Sequence, residues 1–144
     1  MFWGSYDHTL DEKGRTALPK EFRTRLASLK GHPWITLSKG CVIILPDEEF
    51  QDLQSRYAGH SERREKLRRL MLGMAQPCNI DKQGRFLVPQ LLREKGRLQR
   101  DLVVTGVGSC IEIWDRALHA AELEDVQAHY GVYTSDLDGT GKPD

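Results

Sequence analysis

Short apolar runs separated by polar, glycine-containing turns alternate with amphipathic stretches along the chain, and this order occurs twice. The predicted strands are residues 5–10, 15–18, 34–37 and 42–45, and then 74–80, 85–88, 102–105 and 111–114. Pro19 and Pro89 each predict the start of a helix, because the first helical position does not use the N–H that proline lacks. Short strands with one helix per strand set predict an α+β fold.

Three further apolar stripes have helical spacing and predict a helical connector between the two strand sets and a helix after them. The stripes are Phe50, Leu53 and Tyr57; Leu67, Leu70, Met71 and Met74; and Leu123, Val126 and Tyr130. Residues 134–144 are rich in glycine, aspartate and serine, and we expect this acidic tail to fray.

The two strand sets are copies of one unit. Residues 11–23 return as residues 81–93, with the same aspartate, glycine, arginine, proline and final arginine. A second echo relates residues 41–45 to residues 110–114, with one residue lost between the blocks. One half is too small to bury an adequate core alone, so two related halves are expected to pack together with pseudo-twofold symmetry.

The repeat also divides the chain, although we expect one integrated domain. Residues 1–58 form the first repeat with its following helix, and residues 59–73 form the helical connector. Residues 74–115 form the second repeat, and residues 116–144 form the C-terminal helix and tail.

Charge is segregated along a chain whose formal net charge is zero. Basic residues dominate 11–30 and 81–100, while the end of the chain is acidic, so a local positive face is expected on a neutral protein. No apolar run is long enough for a membrane span, and the first ten residues lack the features of a signal peptide. We therefore expect a soluble, cytoplasmic protein without a membrane partner.

The repeated turn carries the candidate chemistry. Lys13 and Arg15 flank a glycine in the first copy, and Lys82 and Arg85 flank one in the second. Arginine can donate two hydrogen bonds to guanine O6 and N7 or to a phosphate, and lysine suits phosphate as a point charge. Such turns favour a probe of the DNA major groove.

A purely structural interpretation of the same residues stays open. Each arginine could pair with the aspartate that opens its own turn, Asp11 or Asp81, as a solvated charged turn. Arg23 and Arg93 open the exposed face of the helix that follows each turn, where phosphate contact and surface solubility are both reasonable. The basic connector at 63–69 has two interpretations, a solvated helix face, which we favour, and a nucleic-acid contact.

Cysteine and histidine give no pattern typical of catalysis or metal binding. The three cysteines, Cys41, Cys78 and Cys110, are widely spaced among apolar residues and are interpreted as small buried hydrophobic side chains. The five histidines are scattered, and no glycine-rich phosphate loop is present. We expect no enzyme activity, no metal, no cofactor and no small-molecule substrate.

The motif D-x-x-G-R-x-x-[LV]-P-x-x-[FL]-R, present twice, resembles the AbrB/SpoVT type of DNA-binding half-barrel. Two copies in one chain that opens Met-Phe-Trp-Gly resemble the MraZ family, over nearly all of residues 1–130. The resemblance implies a double AbrB-like swapped-hairpin barrel in which two intertwined halves mimic a homodimer. It also implies a ring-shaped homo-oligomer.

The same resemblance implies a transcriptional regulator that binds repeated DNA boxes at the promoter of the division and cell-wall gene cluster, which includes its own gene, and works at the nucleoid. Its DNA-facing positions correspond here to Arg15 with Lys13, to Arg23, and to second-copy Arg85, Lys82 and Arg93. The alternative is an antitoxin-like protein of the AbrB fold, which would bind DNA and also a partner protein.

Overall fold

The computed structural model describes residues 1–135 and residue 137, and in this part of the chain it confirms the predicted α+β class. The strands are β1 (Phe2–Thr9), β2 (Arg15–Ala17), β3 (Trp34–Ser38), β4 (Cys41–Leu45), β5 (Gln76–Pro77), β6 (Arg85–Leu87), β7 (Asp101–Gly108) and β8 (Ile111–Asp115). The helices are α1 (Lys20–Ala27), α2 (Asp47–Arg56), α3 (Glu62–Leu67), α4 (Gln90–Lys95), α5 (Arg116–Ala128) and α6 (Tyr130–Thr134). A π-helical turn, Arg68–Leu72, continues α3.

Both sheets contain strands from both repeats. Six strands form an antiparallel sheet in the order β1-β7-β8-β4-β3-β5, and β2 and β6 form a separate two-stranded ribbon. The first strand of each repeat therefore lies against the hairpin of the other, since β1 pairs with β7 and β5 pairs with β3. In the ribbon, Thr16 lies opposite Phe86, its own equivalent in the second repeat. The two halves consequently share one structure.

The core has two parts, one on each face of the sheet. The larger part lies among the sheet, the ribbon and helices α1 and α4, and the smaller part lies under α2 and the π-helical turn. Successive residues of a strand face opposite sides of the sheet. In β4, Val42 and Ile44 enter the larger part, whereas Ile43 and Leu45 enter the smaller one. Because both faces are covered, β4 reads as an unbroken apolar run.

Two predicted strands have different limits in the structure. The predicted strand at 74–80 shortens to Gln76–Pro77, which pairs only with Trp34 and Ile35 at the edge of the sheet. Proline cannot donate a hydrogen bond to a strand ladder, so the strand ends at Pro77, although the Cys78 N–H still donates to Pro33 O at 2.8 Å. The predicted strand at 5–10 instead begins at Phe2, because β1 pairs with β7 along its whole length.

Two predicted apolar stripes are only partly buried. In the connector, Met71 enters the core, whereas Leu67 at the end of α3 and Leu70 within the π-helical turn stay exposed. After β8, Leu123 and Tyr130 do not share one helix, since α5 ends at Ala128. Both side chains are exposed. Of the tail that we expected to fray, residue 136 and residues 138–144 lie outside the described residues.

Within residues 1–135 and residue 137, none of the helices combines the length and the apolar composition needed to cross a bilayer.

Asp115 fastens α5 to the sheet and gives a first testable prediction. Its Oδ2 atom accepts a hydrogen bond from the Leu118 N–H at 3.2 Å, and its Oδ1 atom accepts one from the Gln99 N–H at 3.3 Å. Asp115→Ala removes this helix cap and should lower the free energy of unfolding by about 1–2 kcal/mol, measured by urea denaturation. Asp115→Asn keeps one acceptor oxygen and should lose less. Equal midpoints for the alanine variant and the wild type would contradict the assignment.

Candidate nucleic-acid interface

Two turns of the same construction join β1 to β2 and β5 to β6. In the first, the Oδ1 atom of Asp11 accepts hydrogen bonds from the backbone N–H groups of Lys13 at 2.9 Å and Arg15 at 2.8 Å. In the second, the Oδ1 atom of Asp81 accepts from Gln83 and Arg85, both at 2.9 Å. The aspartate that opens each copy of the motif thus holds the turn in shape.

The glycine of each turn is required by the backbone. Gly14 has a φ of +81° and Gly84 a φ of +84°. Both values lie in the left-handed region, which is unfavourable for residues that carry a Cβ atom. Both glycines are buried, and each donates its N–H to the aspartate carbonyl three residues before it, at 3.0 and 2.9 Å. This geometry fixes the direction in which the next residue, an arginine, leaves the turn.

Arg15 and Arg85 both lie on the exposed face of the β2–β6 ribbon. Their strands are antiparallel, and in each strand the middle residue, Thr16 or Phe86, is buried while the arginine before it is exposed. The exposed face of the ribbon also carries Leu87. One narrow two-stranded ribbon therefore presents two guanidinium groups on the same side.

Each arginine also pairs with the aspartate that opens its own turn, as the purely structural interpretation expects. The Nε atom of Arg15 lies 3.3 Å from Oδ2 of Asp11, and that of Arg85 lies 3.4 Å from Oδ2 of Asp81. The pairs engage only Nε, and neither guanidinium donates from Nη1 or Nη2 to any residue in the described part of the chain. The side chains are 48% and 59% exposed. The pairing therefore orients each arginine and leaves the outer nitrogens available to an acceptor.

Arg23 and Arg93 each lie against the turn glycine of the opposite repeat. A Cβ atom on Gly14 would collide with the guanidinium of Arg93, and one on Gly84 would lie 2.9 Å from Cδ and Nη1 of Arg23. Both arginines are half-buried, because each lies against the turn of the other copy. The cause is the ribbon, where Leu18 N–H donates to Gly84 O at 2.8 Å. This pairing brings each turn to the helix of the other copy.

The six basic residues predicted from the sequence are thus brought together as two clusters. The first turn cluster is Lys13, Arg15 and Arg93, and the second turn cluster is Lys82, Arg85 and Arg23. The clusters differ at the tip of the turn, because Lys82 occupies the position of Glu12 in the repeat and Gln83 occupies that of Lys13.

A groove beside the first turn contains two basic residues, Arg97 and Arg100, that are not among the six predicted DNA-facing residues. It has a volume of about 960 Å³ and runs between the first turn and the segment that follows α4. Its charged lining comprises Arg93, Arg97 and Arg100 with Asp11, Glu12 and Glu94. The basic block at 81–100 was the available sequence signal for Arg97 and Arg100.

The aspartates that shape the turns have lowered pKa values. A hydrogen bond from the Arg15 backbone N–H is the main cause for Asp11, and one from the Arg85 backbone N–H is the main cause for Asp81. The nearby guanidinium groups lower each pKa further. Both side chains are therefore carboxylates at neutral pH.

This shift predicts acid sensitivity. A carboxyl group with a folded pKa below its unfolded value stabilises the fold fully above about pH 4, and that contribution is lost as the pH falls through the folded pKa. The free energy of unfolding, measured with urea at pH 7 and pH 3, should therefore fall less in an Asp11→Asn, Asp81→Asn double variant than in the wild type. Asparagine keeps the acceptor oxygen, so the comparison isolates the charge. Identical pH dependence would refute the prediction.

The cysteines belong to the core or pack against it, and Cys78 also lines a pocket beside the second turn with Asp81, Lys82 and Arg23. Cys41 and Cys78 are buried, as predicted, whereas Cys110 is half-buried. Burial raises the pKa of the Cys78 and Cys110 thiols to about 12 and raises that of Cys41 as well. All three are therefore protonated thiols at neutral pH. In the part of the chain that the structure describes, no group of three or more His, Cys, Asp or Glu side chains is placed to hold a metal ion.

Comparison with known proteins identifies relatives along nearly the whole chain. The family model described as "MraZ protein, putative antitoxin-like" matches twice, at residues 1–70 and 71–129. A protein named transcriptional regulator MraZ from Lachnoclostridium phytofermentans is 41% identical over 120 residues, covering 81% of this chain and 82% of that protein. A protein of the same name from Carboxydothermus hydrogenoformans is 35% identical over 136 residues, covering 90% and 92% of the two chains. Another, from Pediococcus pentosaceus, is 31% identical and covers 95% and 96%.

Proposed function

Because the chain belongs to the MraZ family, whose members are named transcriptional regulators, we propose that it regulates transcription by binding specific DNA sequences through its two turn clusters. Its target is the promoter of the division and cell-wall gene cluster, including its own gene, where it binds repeated boxes at the nucleoid. The proposed role is regulatory and involves no catalysis. The proposed partner is double-stranded DNA, not a small-molecule substrate.

One observation carries this proposal: the β2–β6 ribbon displays Arg15 and Arg85 on the same exposed face. The major groove of B-DNA admits a two-stranded β-ribbon, and arginine is the side chain that most often reads guanine there. The aspartates of the turns already hold both arginines in orientation, which reduces the conformational entropy that would be lost on binding.

The other members of the clusters have supporting roles. Lys13 and Lys82 are exposed at the turns and contact phosphates, which set the position of the ribbon on the duplex without reading its sequence. Arg93 and Arg23, which lie over the opposite turns, hold each turn in place and contribute positive charge beside it. The two clusters differ at their tips, so their shares of the contact differ.

The proposed assembly is a ring of double AbrB-like swapped-hairpin barrels. The exchange of first strands between the repeats supports that barrel. Within it, the chain divides into residues 1–58, 59–73, 74–115 and 116–144, which form one integrated domain. A ring resolves the apparent conflict with a formal net charge of zero. Several subunits on one DNA molecule raise the effective concentration of each small positive face, so modest contacts multiply.

The proposal is tested by DNase I footprinting on the region upstream of the chain's own gene. The wild type should protect short repeated boxes, while a coding fragment of equal length should show no protection. Affinity should fall steeply with salt, because phosphate contacts release counterions. Equal binding to both fragments, or binding indifferent to salt, would contradict sequence-specific recognition.

A second candidate function is an antitoxin-like role, which the description of the matching family model favours. In that case the protein would bind DNA and also neutralise a partner protein. Co-expression with small proteins encoded beside the gene, followed by purification, separates the two. A stable stoichiometric complex with one of them would favour the antitoxin-like role, and DNA binding without such a complex would favour the regulator alone.

A further inference from the structure

The C-terminal helices present an apolar surface with nothing packed on it. None of the 13 residues of α5 is buried, and from Ala120 to Ala128 every residue is exposed except the half-buried Val126. Leu123 is 51% exposed, Tyr130 65% and Tyr133 52%. The Tyr133 hydroxyl donates to Asp125, which holds α6 beside the end of α5. Large exposed apolar side chains in one short segment are typical of a site that another molecule covers.

The same surface is acidic. Glu122, Glu124 and Asp125 surround the exposed apolar residues, and no lysine or arginine occurs between residues 117 and 135. Asp125 is held within the surface, because it accepts hydrogen bonds from Tyr133 and His129. We call residues 120–135 the acidic helical face. A partner that covers it must supply apolar contact and positive charge together.

The connector has the matching composition. Helix α3 buries none of its residues, and Leu67 and Leu70 remain exposed beside it. The exposed basic residues around these leucines are Arg63, Arg64, Lys66 and Arg69. Only Glu62 and Glu65 oppose them, and Glu62 already pairs with Lys66 at 3.4 Å. We call residues 62–70 the basic connector face.

The two faces lie on different elements of one chain and match in both charge and apolar character. We propose that the acidic helical face of one copy packs on the basic connector face of a second copy. Contact between different patches is head-to-tail, and such contacts close into rings or continue as filaments. This inference specifies the subunit contact of the proposed oligomer and rests on that part of the proposed function. DNA alone would not require the exposed leucines of the connector.

Charge reversal tests the contact in the full-length protein by sedimentation velocity. The first variant carries Glu122→Lys and Glu124→Lys, and the second carries Arg63→Glu and Arg69→Glu. All four residues are exposed, so both variants should keep the thermal unfolding midpoint of the wild-type subunit. Each variant alone should self-associate at least about tenfold more weakly, because like charges then face each other across the contact.

Mixing makes the test specific. In a 1:1 mixture, the basic C-terminal helices of the first variant meet the acidic connectors of the second, and the reverse contact is unchanged in sign. Assembly should therefore return, and a single chain carrying all four substitutions should assemble as the wild type does. A mixture that stays dissociated overturns the head-to-tail pairing.

Two further outcomes overturn the contact in distinguishable ways. If the wild type assembles and both variants assemble equally well, the contact is overturned but the oligomer is kept. A wild type that is monomeric overturns the contact and the ring together, while footprinting still tests DNA binding separately. If the connector variant keeps its oligomeric state and loses affinity for DNA, the basic connector face binds DNA and the contact is overturned.

Discussion

Arg15→Ala is expected to lower the affinity for promoter DNA by about 10- to 100-fold per engaged turn, since a bidentate arginine–guanine contact discriminates by about 1–3 kcal/mol. When several subunits hold one DNA molecule, these losses multiply, and specific binding should disappear at physiological salt. Electrophoretic mobility shifts over a salt series measure both the affinity and its salt dependence. Binding of Arg15→Ala with wild-type affinity would remove Arg15 as a reader.

Three further variants serve as comparisons for Arg15→Ala in the same binding assay. Arg56→Ala removes another exposed arginine paired with an aspartate four residues away, on α2 and outside the turns, and should leave DNA binding unchanged. Arg15→Lys keeps the charge but loses the two-donor geometry, so it should retain non-specific affinity and lose sequence preference. Arg85→Ala measures the share of the second turn cluster.

Gly14→Ala is expected to weaken both the fold and DNA binding. Alanine at a φ of +81° is strained by about 1–2 kcal/mol, and its Cβ atom would also displace the guanidinium of Arg93 from the turn. Urea denaturation should show a loss larger than the backbone strain alone. DNA affinity should fall as well, because the first turn cluster loses its shape.

Gly108→Ala is the matched control. Gly108 has a φ of +99°, but a Cβ atom there meets nothing within 4 Å. This variant should show the backbone strain without a loss of DNA affinity. If Gly14→Ala and Gly108→Ala lose the same stability and both bind DNA normally, the packing of Arg93 on the first turn has no functional importance.

The elements that local chemistry determines could be predicted from the sequence. Asp11 and Gly14 define the first turn without help from the rest of the chain, and the repeated motif placed the second turn equally well. The helix after each turn begins one residue after its proline, which occupies the N-cap and not the predicted first helical position. The sequence alone therefore locates both turns and their arginines.

The exchange between the repeats could not be predicted in this way. Nothing local in residues 2–9 specifies that they pair with residues 101–108 rather than with their own hairpin. The same exchange places Arg23 over the second turn and Arg93 over the first, so the membership of each cluster depends on tertiary pairing. Sequence periodicity also counted Leu67 and Leu123 as packing residues, whereas the structure leaves both exposed.

The central claim is that the two turns of the β2–β6 ribbon touch promoter DNA, and site-specific photo-crosslinking tests it most directly. A photoreactive side chain is placed at position 12 or 83 in the turns, and at exposed position 54 on α2 as the control. We predict crosslinks to promoter DNA from both turn positions, suppressed by unlabelled promoter fragment, and none from position 54. Crosslinking from position 54 with none from either turn would contradict the account.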